Sequence, residues 1–232
     1  MTELFDGSRP VQFEYDPVLC EDGTLMVLLS SSLGSGSFKD AHHGFMTLTP
    51  SSLDGLGSRN NQDVAVKQMI QGRDDQGSAR RFDVATEHRH TICKGNLLLW
   101  AMSLFDLSLS FVDYILKKTR PLPSSLIIPK ICFVEGGIAL VHDSTVGKNI
   151  HAASSHGQTL VIEELIESPF VKFVHNRAPV PYLAADHPLF YMADILCFTQ
   201  HVQYEKSGGL VFISDYQGSK LLLSDPQIMT SP

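Results

Sequence analysis

Short apolar runs separated by Gly, Pro and Asp dominate the first two thirds of the chain. LMVLLSS, GFMTLTP, DVAVKQMI, LIIPKICFVE, GIALVHD and TLVIEELI are rich in Val, Ile and Leu, and such runs between turn residues predict strands. In FVEGGIAL, Gly136 and Gly137 predict a hairpin turn between two of them. One stretch has a different period. Over residues 96–118 the pattern predicts a long helix, in which Ser103, Asp106, Ser110 and Asp113 recur at steps of three, four and three and so share one helical stripe. The length of NLLLWAMSLFDLSLSFVDYIL suits a membrane span. Its polar stripe instead predicts a buried amphipathic helix, and no membrane span is expected.

The polar, Gly-rich residues 50–62 predict an excursion between two strands, and QGRDDQGSARRFD leads from the VAVK strand toward the long helix. Asp186 and Pro188 begin a second helix, with Leu189, Met192, Ala193, Leu196 and Gln200 at helical spacing and Ser207-Gly208-Gly209 at its end. GLVFISD and KLLLSD follow as two further strand-like runs joined by YQGS. A strand-rich part with one helix, then a helix and a short sheet, predicts an α+β fold of two lobes. Ligands favour the gap between lobes.

Composition narrows the class. With 232 residues, 43% hydrophobic and 19% charged, the chain is long and apolar enough to bury a substantial core. Its formal net charge of −7 disfavours a broad nucleic-acid surface while leaving room for a local basic pocket. Cys20, Cys93, Cys132 and Cys197 form no metal-binding spacing and read as reduced thiols. The start, MTELFDGSRP, has no basic segment followed by an apolar core, so an intracellular, cytoplasmic location is expected.

Three stretches carry candidate chemistry. In LGSGSFKDAHHG, Gly34 and Gly36 stand between two strand runs, where glycines let backbone N–H groups approach phosphate; a plain connector has the same composition. In DVAVKQ, Lys67 either faces solvent on an edge strand or reaches into a polar cleft. A glycine loop before a Val-Ala-Val-Lys strand is the order in which kinases hold ATP phosphates. His-Arg-Asp and Asp-Phe-Gly are both absent, and His88-Arg89-His90 lacks the aspartate. If the chain transfers phosphoryl groups, its metal and base residues must come from elsewhere, and ISDYQGSKLLLSDPQI can supply them. There Asp215 and Gln217 are two apart and Asp225 follows Leu221–Leu223, supplying oxygen ligands suited to magnesium and a proton acceptor. Turn aspartates of a hairpin fit the same letters. A tight hairpin near Gly218 would keep Asp215 and Asp225 on different rungs, so their cooperation requires residues 215–219 to form an open loop.

Taken together, GSFKDAHHG, VAVKQ, LLLWAMSL, LVIEELIESPFVKFVHN, CFTQHVQYEKSGGLVFISDYQG and LLLSDPQI resemble the alpha-type (atypical) protein kinases. That family includes myosin heavy chain kinases, elongation factor 2 kinase and channel-kinases. The resemblance runs from about Leu33 to Ile228. It implies one kinase domain over residues 1–232, with a strand-rich N-terminal lobe to about residue 165 and an incomplete mixed C-terminal lobe from about 166, and ATP between them. It implies magnesium-dependent transfer of the γ-phosphate to Ser or Thr of a protein substrate. Lys67 would bind ATP phosphates, and Lys39 stands where the family has a phosphate-binding arginine. Glu163 and Ile166 would be hinge positions that bond adenine through their main chains, so their side chains should matter little. Asp215 would be the catalytic base, and Gln217 and Asp225 the magnesium ligands. Glu87 is expected as a solvated helix-end carboxylate, the alternative being a partner for Lys67. His201 matches the spacing of a zinc-binding histidine. The remaining zinc ligands and a Gly-x-Gly-Asn-x-Gly loop belong after Asp225 and are missing from these residues, so zinc is expected only in a longer product. The alternative is a catalytically weak kinase-like module that binds nucleotide or a protein partner without turnover.

Overall fold

The computed structural model describes residues 22–119, 128–141, 157–167 and 169–231. Cys20 and the first residues of the LIIPKICFVE run lie outside them. Branched apolar residues at alternate positions draw β1 (Asp22–Ser35), β2 (Lys39–Thr49), β3 (Gln62–Met69), β7 (Gly136–Leu140) and β8 (Thr159–Glu164) into one sheet. Its order is β1-β2-β3-β8-β7 and every pairing is antiparallel. One face is closed by Met46, Val64, Val66, Leu160 and Ile162. The expected excursion between β2 and β3 is present, and the β1–β2 turn is closed by Gly36 N–H donating to the Lys39 carbonyl at 2.9 Å. β4 (Gly72–Arg73) and β5 (Ala79–Arg80) form a small hairpin after β3.

The long helix, α1 (Val84–Lys118), starts twelve residues before the expected position. Its start is set by Asp83, whose carboxylate accepts from Thr86 N–H at 3.0 Å. No apolar periodicity marks this first part, which is why the sequence pattern misses it. Ser103, Asp106, Ser110 and Asp113 all face solvent, as their stripe predicts. α1 is long and apolar enough to cross a membrane by length and composition, but Ala101, Leu104 and Phe105 are buried in the larger core with Phe133, Phe173, Leu196 and Tyr216. α2 (Phe190–Lys206) packs on the same core through Met192, Ala193 and Leu196.

The hairpin expected in FVEGGIAL is corrected. β6 (Cys132–Phe133) does not pair with β7. It belongs to a separate four-stranded sheet, order β6-β12-β11-β9, with β9 (Val171–Lys172), β11 (Gln217–Gly218) and β12 (Leu222–Ser224). Between β6 and β7 the chain passes from one sheet to the other: Val134 N–H donates to the Leu223 carbonyl at 2.8 Å, whereas the Glu135 carbonyl accepts from Glu164 N–H at 3.0 Å. Gly136 is therefore no turn residue. It lets α1 approach, since a Cβ there would lie 2.6 Å from Leu98 Cδ2. β10 (Val211–Ile213) pairs with β13 (Ile228–Thr230), and the hairpin of the closing stretch joins β11 to β12.

Gly218 does have to lack a side chain. It has φ +152°, and a Cβ would fall 2.1 Å from the Leu222 carbonyl oxygen and 2.8 Å from Leu223 Cα. Both are backbone atoms that cannot step aside. Gly218→Ala is expected to destabilise the fold by roughly 3–5 kcal/mol, as a clash that separates β11 from β12. Urea denaturation measures this loss.

Candidate active site

Lys67 lies on β3, which is flanked by β2 and β8. A central strand settles the two sequence alternatives: Lys67 is 9% exposed and points into a cleft. A buried ammonium requires hydrogen-bonded partners. Lys67 Nζ donates to Glu163 Oε2 at 2.5 Å and to Ser224 Oγ at 2.7 Å, and the Ser224 hydroxyl donates to Glu163 Oε2 at 2.6 Å. The expectation that the Glu163 side chain matters little is thereby corrected. Its main chain lies between Ala65 of β3 and Gly136 of β7, inside the sheet, and its carboxylate is the counter-ion of Lys67. Glu87 is likewise not solvated. It is buried on α1, accepting from Gln68 Nε2 at 3.0 Å and from Thr159 N–H at 3.2 Å, so it ties α1 to β3 and β8 and leaves Lys67 to Glu163.

Asp225 follows β12 in a left-handed backbone conformation, φ 56°, which turns the chain sharply at the strand end. Asp tolerates that region better than most residues. Its carboxylate pairs with Lys39 and accepts from Gln217 Nε2 at 3.2 Å. Burial works to raise its pKa, but the ammonium groups of Lys39, Lys67 and Lys94 outweigh it and hold the carboxyl below its ordinary value. Asp225 is thus an anion at neutral pH. Burial lowers the Lys39 pKa, and repulsion from Lys67 and Lys94 adds to this, against the opposing pull of Asp225.

Asp215 sits just before β11 and is buried. The backbone around it is fixed from three sides. Ser214 N–H donates to the Gln227 carbonyl at 2.8 Å, and the Tyr216 carbonyl accepts from Phe173 N–H at 2.9 Å. From α2, Gln200 Nε2 donates to the Ile213 carbonyl at 2.7 Å. The Tyr216 side chain is fully buried; its hydroxyl lies 3.0 Å from Thr199 Oγ1 and accepts from Gln203 Nε2 at 3.0 Å. Burial pushes the Tyr216 pKa up, so the phenol stays neutral. Asp215 Oδ1 lies 3.0 Å from Lys172 Nζ, an ion pair whose angles are not those of a hydrogen bond, since that oxygen otherwise has no hydrogen-bond partner. The open loop that a turn centred on Gly218 would have required is not formed: the turn falls at residues 219–222, and the register, with Gln217 opposite Ser224 and Ser214 N–H donating to the Gln227 carbonyl, brings Asp215 and Asp225 to the same end of the hairpin. Gln217 and Gly218 are paired on both sides, with β9 and β12, and the turn is tight, with Ser219 N–H donating to the Leu222 carbonyl at 2.7 Å. Gln217 instead bridges toward Asp225 by its side chain.

One cleft therefore brings together Lys39, Lys67, Glu163 and Asp225, with Lys94 beside them and Leu97, Leu98 and Val161 as apolar wall. Gln217 joins through Asp225. The Ile166 side chain does not line the cleft; it packs against the larger core where the chain leaves β8. His201 is exposed on α2. Among the described residues no group of three or more His, Cys, Asp or Glu could hold a metal ion. Sequence reasoning missed Ser224, Lys94 and Lys172 as members of the site. Only Lys94 left a signal, standing three and four residues before Leu97 and Leu98 on a helix, and so on the same side as that apolar pair.

A cleft of lysines facing a carboxylate and a carboxamide is suited to a polyphosphate and a hard cation. A sequence model of the alpha-kinase family matches residues 34–232. The chain belongs to the alpha-kinase family. Solved alpha-kinase domains share its fold. That of Dictyostelium myosin heavy chain kinase A in complex with AMP is 18% identical, with a TM-score of 0.59 over 94% of this chain and 82% of that one. Its complex with AMP-PNP is 19% identical, with a TM-score of 0.55 over 94% and 80%. An inactive form of the same domain complexed with ATP is 18% identical, with a TM-score of 0.55 over 90% and 76%. No curated protein matches the sequence. Family membership makes this a protein-kinase domain of two-lobed, kinase-like fold, and in this alpha-kinase the cleft lies where β3 and β8 face the turn after β12.

Proposed function

We propose that residues 1–232 are one alpha-kinase domain that transfers the γ-phosphate of ATP to Ser or Thr of a protein substrate with the aid of Mg2+. The observation that carries this reading is the single cleft in which the Lys67–Glu163 pair and Lys39 face Asp225. Nucleotide complexes of the structurally similar myosin heavy chain kinase A domain support it. Lys39 and Lys67 attract and orient the phosphates. The chain leaving β8 through Ile166 offers main-chain groups for adenine beside the wall of Val161 and Leu98.

Asp225 and Gln217 suit Mg2+, because a carboxylate held ionised stands beside a carboxamide whose half-turn presents oxygen in place of nitrogen. Bound there, the metal would neutralise charge developing on the phosphate oxygens. Asp215 accepts the proton of the Ser or Thr hydroxyl as its oxygen bonds to the γ-phosphorus, and the bond from that phosphorus to the bridging oxygen breaks, leaving the electron pair on ADP. Lys172 stands beside Asp215 as its counter-ion.

The contact of Lys39 with Asp225 favours a second reading. In it, the ammonium already covers the carboxylate, and the domain binds nucleotide or a protein partner without turnover. Two measurements on the same sample separate them. Mg-ATP at about a hundred times its dissociation constant is expected to stabilise the fold by roughly 2.7 kcal/mol in a thermal scan, and γ-labelled ATP is expected to label the protein or an added acceptor on Ser or Thr. Stabilisation without label selects the binding module; neither result rejects both readings.

A further inference from the structure

The Lys67–Glu163 pair and Asp225 belong to different sheets, and something must set their separation. We propose that Ser224 is a positioning residue that couples the Lys67–Glu163 ion pair to Asp225, an inference that rests on the phosphotransfer reading above. The Ser224 hydroxyl accepts from Lys67 Nζ at 2.7 Å and donates to Glu163 Oε2 at 2.6 Å, and the residue is 3% exposed. One oxygen thus uses both its donor and its acceptor capacity on the two charges of a buried pair. Its main chain lies opposite Gln217 and leads directly into Asp225. Leu223, fully buried and opposite Phe133 of β6, prevents β12 from sliding along its axis. The hydroxyl then fixes the end of that strand against β3 and β8, just where the backbone enters its left-handed turn.

An alanine here leaves Lys67 and Glu163 paired but short of one hydrogen bond each, and frees the Asp225 turn from the sheet that carries Lys67. Hydrogen bonds to charged groups are the strong ones, so Ser224→Ala is expected to slow phosphate transfer by about 10- to 100-fold. Threonine keeps the hydroxyl and valine has the same shape without it. Ser224→Thr is expected to recover the rate to within about threefold, and Ser224→Val to resemble alanine.

The experiment measures γ-phosphate transfer by labelling, and Mg-ATP and metal-free ATP affinities by calorimetry, for the parent, these three variants, Lys67→Met and the double variant Lys67→Met with Ser224→Ala. Coupling predicts that the double variant is no slower than Lys67→Met alone, and that Ser224→Val weakens Mg-ATP more than metal-free ATP. A purely structural role predicts equal losses for Thr and Val, or additive effects with Lys67→Met, and either result overturns the inference. If alanine fails to fold by circular dichroism, the Thr and Val pair decides. A parent that binds Mg-ATP without transfer ends the phosphotransfer reading, while the affinity comparisons still judge the coupling. A parent that binds no nucleotide ends both.

Discussion

Asp225→Asn is expected to lower phosphate transfer by about a thousandfold while leaving the fold intact. Asparagine is the informative replacement because Asp225 has φ 56°, and asparagine accepts that conformation whereas alanine is strained there. The substitution therefore removes charge and a metal ligand without disturbing the turn after β12. Its second consequence has the opposite sign. Three ammonium groups, of Lys39, Lys67 and Lys94, act on the Asp225 carboxylate, and they face an uncharged amide in the variant. Metal-free ATP, carrying its full negative charge, should bind the variant more tightly, on the order of tenfold at low salt, with the gain fading as salt is added. Calorimetry with and without Mg2+, beside labelling and circular dichroism, measures all three. A variant that turns over within about threefold of the parent at the same Mg2+ dependence would remove Asp225 from the metal site.

Which residues of this arrangement the sequence discloses follows from what periodicity can encode. Alternation identifies a strand and the face it buries, and β1, β2, β3 and β8 are all visible in that way. Pairing is another matter. FVEGGIAL looks like a hairpin, yet its two halves join different sheets, because the partners of Phe133 and Ile138 are chosen by Leu223 and Val161 far along the chain. The start of α1 is hidden for a related reason: its first turns carry Glu87, His88, Arg89 and His90 with no apolar stripe, and are held by the Asp83 cap and by Glu87 reaching Thr159. At the site, Lys67 and Asp225 stand out because a charge beside a valine or leucine run needs a partner. Which partner is not written locally. Ser224 meets Lys67 across 157 residues, and a serine after two leucines has the same appearance wherever its hydroxyl points. Glu163 shows the limit of a resemblance used alone, since a main-chain role was implied for a residue whose carboxylate neutralises Lys67.

Asp215→Asn should separate binding from chemistry more cleanly than any other change in the molecule. Asp215 is outside the lining of the lysine cleft, so ATP and Mg-ATP affinities are expected to stay within about threefold of the parent, while transfer falls by about 10²- to 10⁴-fold for want of a proton acceptor. The amide keeps the size of the carboxylate, and the backbone around it is fixed independently by Gln200, Gln227 and Phe173, so the fold should survive. Burial sharpens the test. Replacing the carboxylate leaves Lys172 Nζ, now 3.0 Å from it, facing a neutral group, but Lys172 is partly exposed and can turn to water, so little stability depends on the pair. Lys172→Met then provides the complementary case: the carboxylate remains, without its counter-ion. Its transfer rate is expected to fall less than that of Asp215→Asn, because the proton acceptor is still in place. If the two variants lose transfer to the same extent, Asp215 does not carry the proton, and its burial beside Lys172 is structural.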